Sequence, residues 1–228
     1  MSNTDSFIDE VTEEVRRDRL FALMRRYGWI AILAILLLVG GAAWNEWRKA
    51  RERAAAEAFG DAVLAALARP EAEGRAASLD AVVAPDAGGA AVVALLAAAE
   101  HAETDPAEAA ARFLALADRS DMPPVYQQIA TLKAVALPGS GLDAETRRAR
   151  LAPLAEGAGL LRLLAEEQLA LIEIETGETG AALERLAALA MDAEATAALR
   201  RRVTQVIVAL GETPPEPPGA QNDAASGQ

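Results

Sequence analysis

The amino-acid sequence predicts an all-α protein, because its apolar content consists mainly of small side chains that favour helices. The 228 residues include 56 Ala and only nine aromatic residues, and Ala has the highest helix propensity of all residue types. The chain has no Cys and one His, which excludes disulfides, thiolate nucleophiles and metal centres built on several Cys or His ligands. This length fits one ordinary domain with an appendage.

The first element is an uncharged apolar stretch. Residues 27–45 carry no formal charge, and as a helix they extend ~28 Å, close to the hydrocarbon thickness of a bilayer. Their eight Ile, Leu and Val residues favour insertion by roughly 2.5–5 kcal/mol. Aromatic side chains that favour the membrane interface lie at both ends: Tyr27, Trp29, Trp44 and Trp47. We therefore predict a transmembrane helix over residues 27–47.

Two other interpretations of this stretch are a buried core helix and a cleaved signal peptide. The small residues at positions 40–43 favour cleavage, whereas the six acids in the 26 residues before the stretch argue against it. Five Arg precede the span and four Lys or Arg follow it. The short tail, with Arg25 and Arg26 next to the span, favours a cytoplasmic N-terminus and a C-terminal domain on the other side.

The segments on either side of the span also have helical character. Residues 1–26 form the predicted cytoplasmic tail, which either docks a partner or the membrane surface as a short amphipathic helix, or remains solvated. The apolar residues of this tail share one helical face: Phe7, Ile8, Val11 and Val15. Residues 48–59 contain no helix breaker, so residues 48–69 are predicted to be a stalk and first soluble helix.

Residues 70–211 are predicted to form a stack of antiparallel helix pairs, because Pro and Gly recur at intervals that suit short helices. Residues 212–228 are rich in Pro and small polar residues, which predicts a disordered tail.

Two of the predicted hairpins repeat the same residue types at the same spacing, 73 positions apart. The first copy contains Leu96, Ala97, Asp105, Ala109 and Phe113, and the second contains Leu169, Ala170, Glu178, Ala182 and Leu186. This spacing fits a degenerate tetratricopeptide repeat, in which a Leu and a small residue on one helix face Ala and a large apolar residue on the next. Gly177 fits the turn between them, and chance similarity between Ala-rich hairpins is the alternative.

Motifs for catalysis are scarce. The only His, His101, lies near Glu100, Glu103 and Asp105, which suggests a metal or acid–base site; a His at a helix C-terminus is the simpler explanation. No phosphate-binding loop or nucleophile elbow occurs in the sequence. Adjacent acids such as Glu166-Glu167 are expected to lie on solvated helix faces. We therefore predict no enzymatic activity and no cofactor.

The charge of the C-terminal region limits the class of partner. Residues 54–228 contain 13 Lys and Arg against 26 Asp and Glu, which disfavours nucleic acid and anionic lipid surfaces. The negative charge could steer basic or unfolded clients, or it could serve solubility alone.

The order of these segments resembles a known family. The chain has an acidic-then-basic tail over residues 7–20, the sequence Arg-Arg-Tyr-Gly-Trp at 25–29, one membrane helix, and an Ala-rich domain that includes segments 130–134 and 167–171. These features, in this order, are similar to the bacterial ancillary SecYEG translocon subunit family, in its alphaproteobacterial form. The similarity extends over nearly all of residues 5–211.

This resemblance implies a single-pass inner-membrane protein with a cytoplasmic tail and a periplasmic helical-repeat domain. It also implies association with Sec translocon subunits and with periplasmic chaperones that receive translocated envelope proteins, without enzymatic activity. The sequence-based expectation is thus a membrane-anchored adaptor. The alternative is a scaffold for another envelope assembly, such as outer-membrane protein or respiratory-complex biogenesis.

Overall fold

The structure is a computed structural model that describes the backbone of residues 3–215 and the side chains of residues 25–30 and 32–215. The described part is all-helical and contains no strand. Its helices are α1 (Asn3–Leu67), α2 (Ala72–Asp80), α3 (Ala87–His101), α4 (Pro106–Ala117), α5 (Pro124–Ala136), α6 (Ala144–Ala155), α7 (Gly159–Glu175), α8 (Thr179–Met191) and α9 (Ala197–Ala209). The chain divides into two units, Met1–Ala58 and Phe59–Gln228.

The first unit consists of most of α1, which continues without interruption through the predicted tail, span and stalk. The helix is therefore longer than the predicted transmembrane segment at both ends. The amphipathic face predicted for the tail lies outside the described side chains, and most of the predicted disordered tail lies outside the described residues. The apolar part of α1 is long and apolar enough to cross a membrane, and none of its described residues is buried by other parts of the protein.

The second unit is held together by apolar clusters that overlap along the chain. Each cluster joins neighbouring helices: one joins the end of α1 with α2 and α3, one joins α3, α4 and α5, one joins α5, α6 and α7, and one joins α7, α8 and α9. Because successive clusters share a helix, the apolar core is continuous along this second unit, which we call the helical array. In addition to contacts between consecutive helices, α5 contacts both α3 and α7.

The two predicted repeat copies pack differently. In the second hairpin, Ala170 of α7 and Leu186 of α8 belong to one apolar cluster, as the repeat pattern requires. In the first, Ala97 packs with the cluster that includes Leu79 of α2, separate from the cluster that contains Ala109 and Phe113. Ala182 is fully buried, whereas the two leucines of the pattern are only partly buried: Leu96 and Leu169.

The turn at Gly177 illustrates how the sequence ends a helix. Gly177 has φ +82°, its N–H donates to the carbonyl of Ile174, and the N–H of Glu178 donates to the carbonyl of Glu173. These two hydrogen bonds form a Schellman motif, which satisfies the last carbonyls of α7 and favours a residue without a Cβ atom. In the other copy, the Asp105 side chain accepts a hydrogen bond from the N–H of Glu108 and caps α4.

Replacing Gly177 by Ala is expected to lower the free energy of unfolding by about 1 kcal/mol, because an L-residue is strained at this positive φ. Gly180 is the matched control, since it lies in α8 with open space around its Cα. Gly180→Ala is expected to raise the free energy of unfolding by about 0.5 kcal/mol. Urea unfolding of a variant that begins at Phe59 measures both. Equal effects of the two substitutions would contradict this account of the turn.

Candidate partner-binding groove

An apolar groove lies between α5 and α7 and has a volume of about 280 Å³. From α5 it is lined by Ile129, Leu132 and Ala136, which are spaced three and four residues apart and so share one helix face. From α7 it is lined by Leu161 and Leu164. Neither of these two leucines belongs to an apolar core cluster. They therefore form the wall of a surface groove rather than part of the core.

Two exposed apolar side chains extend this face beyond the groove. Val125 lies one turn before Ile129 on α5, and Leu160 lies one turn before Leu164 on α7; they are 47% and 51% exposed. The groove lining contains no acidic residue, and its polar members are Lys133 and Gln168. The result is an open apolar surface with a single cation beside it.

Lys133 differs from most bases in the helical array. It is exposed, and its Nζ lies 5.9 Å from the ring centroid of Phe113. Among the described residues it forms no ion pair, whereas most of the arginines in the array are paired with acids. Its ammonium group is thus available to an anionic group of a partner.

A second pocket, of about 410 Å³, lies between α7 and α8 and is lined mostly by charged residues. Four of its five charged lining residues form ion pairs: Arg185 donates to Glu166, and Arg162 donates to Asp192 (2.8 Å). Arg185 also donates to Glu173, which lies outside the lining (2.7 Å from Nη2 to Oε1). The hydrogen bonds to Glu173 are the main reason that the pKa of Arg185 is raised. Because these groups already satisfy one another, the network serves to join α7 to α8.

Glu166 and Glu167 were expected to lie on a solvated helix face, and the structure shows that this expectation is wrong. Their side chains are only 22% and 12% exposed, and each is paired with an arginine, Arg185 and Arg202 respectively. Glu173 is buried, with a side chain 9% exposed. These acids therefore stabilise the packing of α7 instead of lying on a solvated face. Sequence reasoning missed them because the partner arginines lie on other helices.

The region around His101 is organised by contacts that need no ligand. Glu100 and Glu103 both pair with Arg75 of α2, at 2.5 and 3.3 Å, and Asp105 caps α4. His101 is the last residue of α3. Within the described residues no group of three or more His, Asp or Glu side chains could hold a metal ion.

The predicted membrane-interface residues lie at the ends of the apolar segment of α1 and are all exposed. At the first end, the Arg26 guanidinium carbon is 5.8 Å from the Tyr27 ring centroid. At the second end, the rings of Trp44 and Trp47 lie 5.2 Å apart, and Arg51 lies 4.1 Å from the Trp47 ring centroid. Arg25 precedes this segment, and Trp29 is 63% exposed within its first turns.

Ion pairs between helices make the array sensitive to acid. Hydrogen bonds from Arg150 lower the pKa of Asp118, those from Arg162 lower the pKa of Asp192, and those from Arg147 lower the pKa of Glu175. A carboxylate whose pKa is lower in the folded state stabilises the fold above its unfolded pKa of about 4, and this contribution is lost as the pH falls through the folded value.

We therefore expect the urea midpoint of the array to be nearly constant from about pH 7 to about pH 5 and to fall below about pH 4. The Arg150→Gln variant should show a smaller decrease on acidification, because Asp118 then lacks the group that lowers its pKa. A midpoint that rises on acidification would contradict this assignment.

No family model, curated protein or solved structure matches this chain.

Proposed function

We propose that this protein is a non-enzymatic, membrane-anchored adaptor that binds other proteins through a tetratricopeptide-like helical array. The observation that supports the anchor most directly is the run of apolar side chains from Ile30 to Val39 on α1. All the large ones among them are exposed, and a contiguous apolar surface of this kind requires a lipid or protein environment.

The array supports the binding role. Stacked helices bind partners through the grooves between them, and the groove between α5 and α7 has open apolar walls. Ala170 and Leu186 pack in one apolar cluster, as expected for the two helices of a repeat. This packing supports a tetratricopeptide-like arrangement of the second hairpin.

The proposed partners are Sec translocon subunits, with handover of translocated envelope proteins to periplasmic chaperones. Support for this assignment comes from the sequence resemblance over residues 5–211, and the proposed location is the bacterial inner membrane with a cytoplasmic N-terminus and a periplasmic array. Arg25 and Arg26 support that orientation.

Affinity purification from membranes in mild detergent, followed by mass spectrometry, tests the partner. The control variant lacks residues 27–47. We expect translocon subunits to co-purify with the full chain and to be lost with the control. Recovery of a different envelope complex without the translocon would support the alternative scaffold role and overturn the proposed partner.

The orientation can be tested independently because the chain contains no Cys. Single cysteines are introduced in place of Ser6 and of Ser120, an exposed position in the array. In intact spheroplasts, a membrane-impermeant maleimide should label Ser120→Cys and not Ser6→Cys. The reverse pattern would invert the proposed topology.

A further inference from the structure

We propose that the groove between α5 and α7 binds an amphipathic helix of a partner protein, with a carboxylate of that helix paired to Lys133. This inference rests on the proposed adaptor function and names the chemistry of the segment that the adaptor recognises.

The dimensions of the groove suit side chains of a docked helix. The lining residues extend over eight positions on each helix, 129–136 on α5 and 161–168 on α7, which corresponds to about two helical turns or ~10 Å. A volume of about 280 Å³ is at the lower limit for a small-molecule pocket of ~300 Å³. It is sufficient for two large apolar side chains one turn apart, the spacing by which helices bind in grooves.

Residues 211–228, which follow the last helix, are not a suitable occupant. Residues 211–228 contain no Leu, Ile, Val, Met or aromatic residue. A segment of Pro, Gly, Ala and polar residues gains little from burial in an apolar groove. The proposed topology places the amphipathic tail, with Phe7, Ile8, Val11 and Val15, on the opposite side of the membrane. We therefore assign the occupant to a partner protein.

Charge complementarity fixes the nature of the partner helix. The groove has one cation, Lys133, which forms no ion pair among the described residues, and no acid in its lining. Elsewhere the array is strongly acidic, so an anionic helix is repelled by most of its surface and attracted at this position. Lys133 thus provides specificity and orients the helix, while the leucine walls provide the apolar contact.

The test selects peptides from a phage library of random amphipathic helices on the full chain in phosphatidylcholine nanodiscs. Empty nanodiscs remove peptides that bind lipid. We expect enrichment of peptides with two large apolar residues three or four positions apart and an Asp or Glu on the same face. On the Lys133→Glu variant the acidic preference should change to Lys or Arg, and the best peptide from the unmodified chain should bind about tenfold more weakly.

Arg201→Glu is the matched control, because Arg201 is exposed, forms no ion pair in the described part of the chain, and the substitution changes the net charge equally. It should leave the selected sequences unchanged. Leu164→Asp, with helicity verified by circular dichroism, should abolish enrichment. The proposal is overturned if peptides bind no better than to empty nanodiscs, if Lys133→Glu selects the same acidic peptides, or if a folded Leu164→Asp variant still selects them.

The peptide selection tests the groove inference, and co-purification of the translocon tests the proposed partner. Either result can be negative without the other. If the groove selects acidic amphipathic helices but no translocon subunit co-purifies, the partner assignment is wrong and the groove inference stands. If the translocon co-purifies but the groove selects nothing, the adaptor binds through another surface.

Discussion

Replacing Ile32 and Leu36 by arginine is expected to release the protein from the membrane. Both side chains are 62% exposed on the apolar segment of α1. An arginine near the centre of a span disfavours insertion by about 2.5–3.5 kcal/mol, so two of them cost about 5–7 kcal/mol. This exceeds the roughly 2.5–5 kcal/mol by which the eight Ile, Leu and Val residues favour insertion. The measurement is the fraction of protein that sediments with membranes after an alkaline carbonate wash.

The matched control is the double variant Ile32→Leu and Leu36→Ile, which retains the apolar character and helix faces of the span. It should sediment with membranes like the unmodified chain. If the double arginine variant also resisted the wash, a part of the protein other than residues 27–47 would hold it at the membrane, and the anchor would have to be reassigned.

The features that could be predicted from the sequence are those that depend on neighbouring residues. The uncharged stretch before Asn45, the high Ala content and the Pro and Gly interruptions all act over a few turns, and they predicted a span followed by short helices. The turn at Gly177 was also predictable, because glycine adopts that positive-φ conformation without the strain of a Cβ atom. Continuation of α1 through both predicted segment boundaries is consistent with the lack of a breaker there.

The groove and the polar network between α7 and α8 could not be predicted in the same way, because each depends on residues that are distant in the chain. Leu132 and Leu161 lie on different helices and meet only when α5 contacts α7. The helical spacing of Val125, Ile129 and Leu132 does contain a signal, since these residues form an apolar face beside Lys133. A search for apolar faces with an isolated charge would have found it.

The polar network between α7 and α8 leads to the largest expected change in stability. In the Arg185→Met variant, both the buried Glu173 and the partly buried Glu166 lose the cation that they share. Removing one partner of a buried ion pair is strongly destabilising, and we expect a loss of about 3 kcal/mol in the free energy of unfolding. Urea unfolding of a variant that begins at Phe59 measures this loss.

The exposed pair Arg119–Asp121 is the control, because both side chains are largely solvent-accessible. Arg119→Met should cost less than about 1 kcal/mol, since exposed ion pairs contribute little. A second comparison separates the cost of an unpaired charge from that of lost packing. The double variant Glu173→Leu and Arg185→Met removes both charges and should recover most of the stability lost in Arg185→Met. If the double variant were as unstable as the single one, loss of side-chain packing would be the cause, and the ion pair would not be what joins α7 to α8.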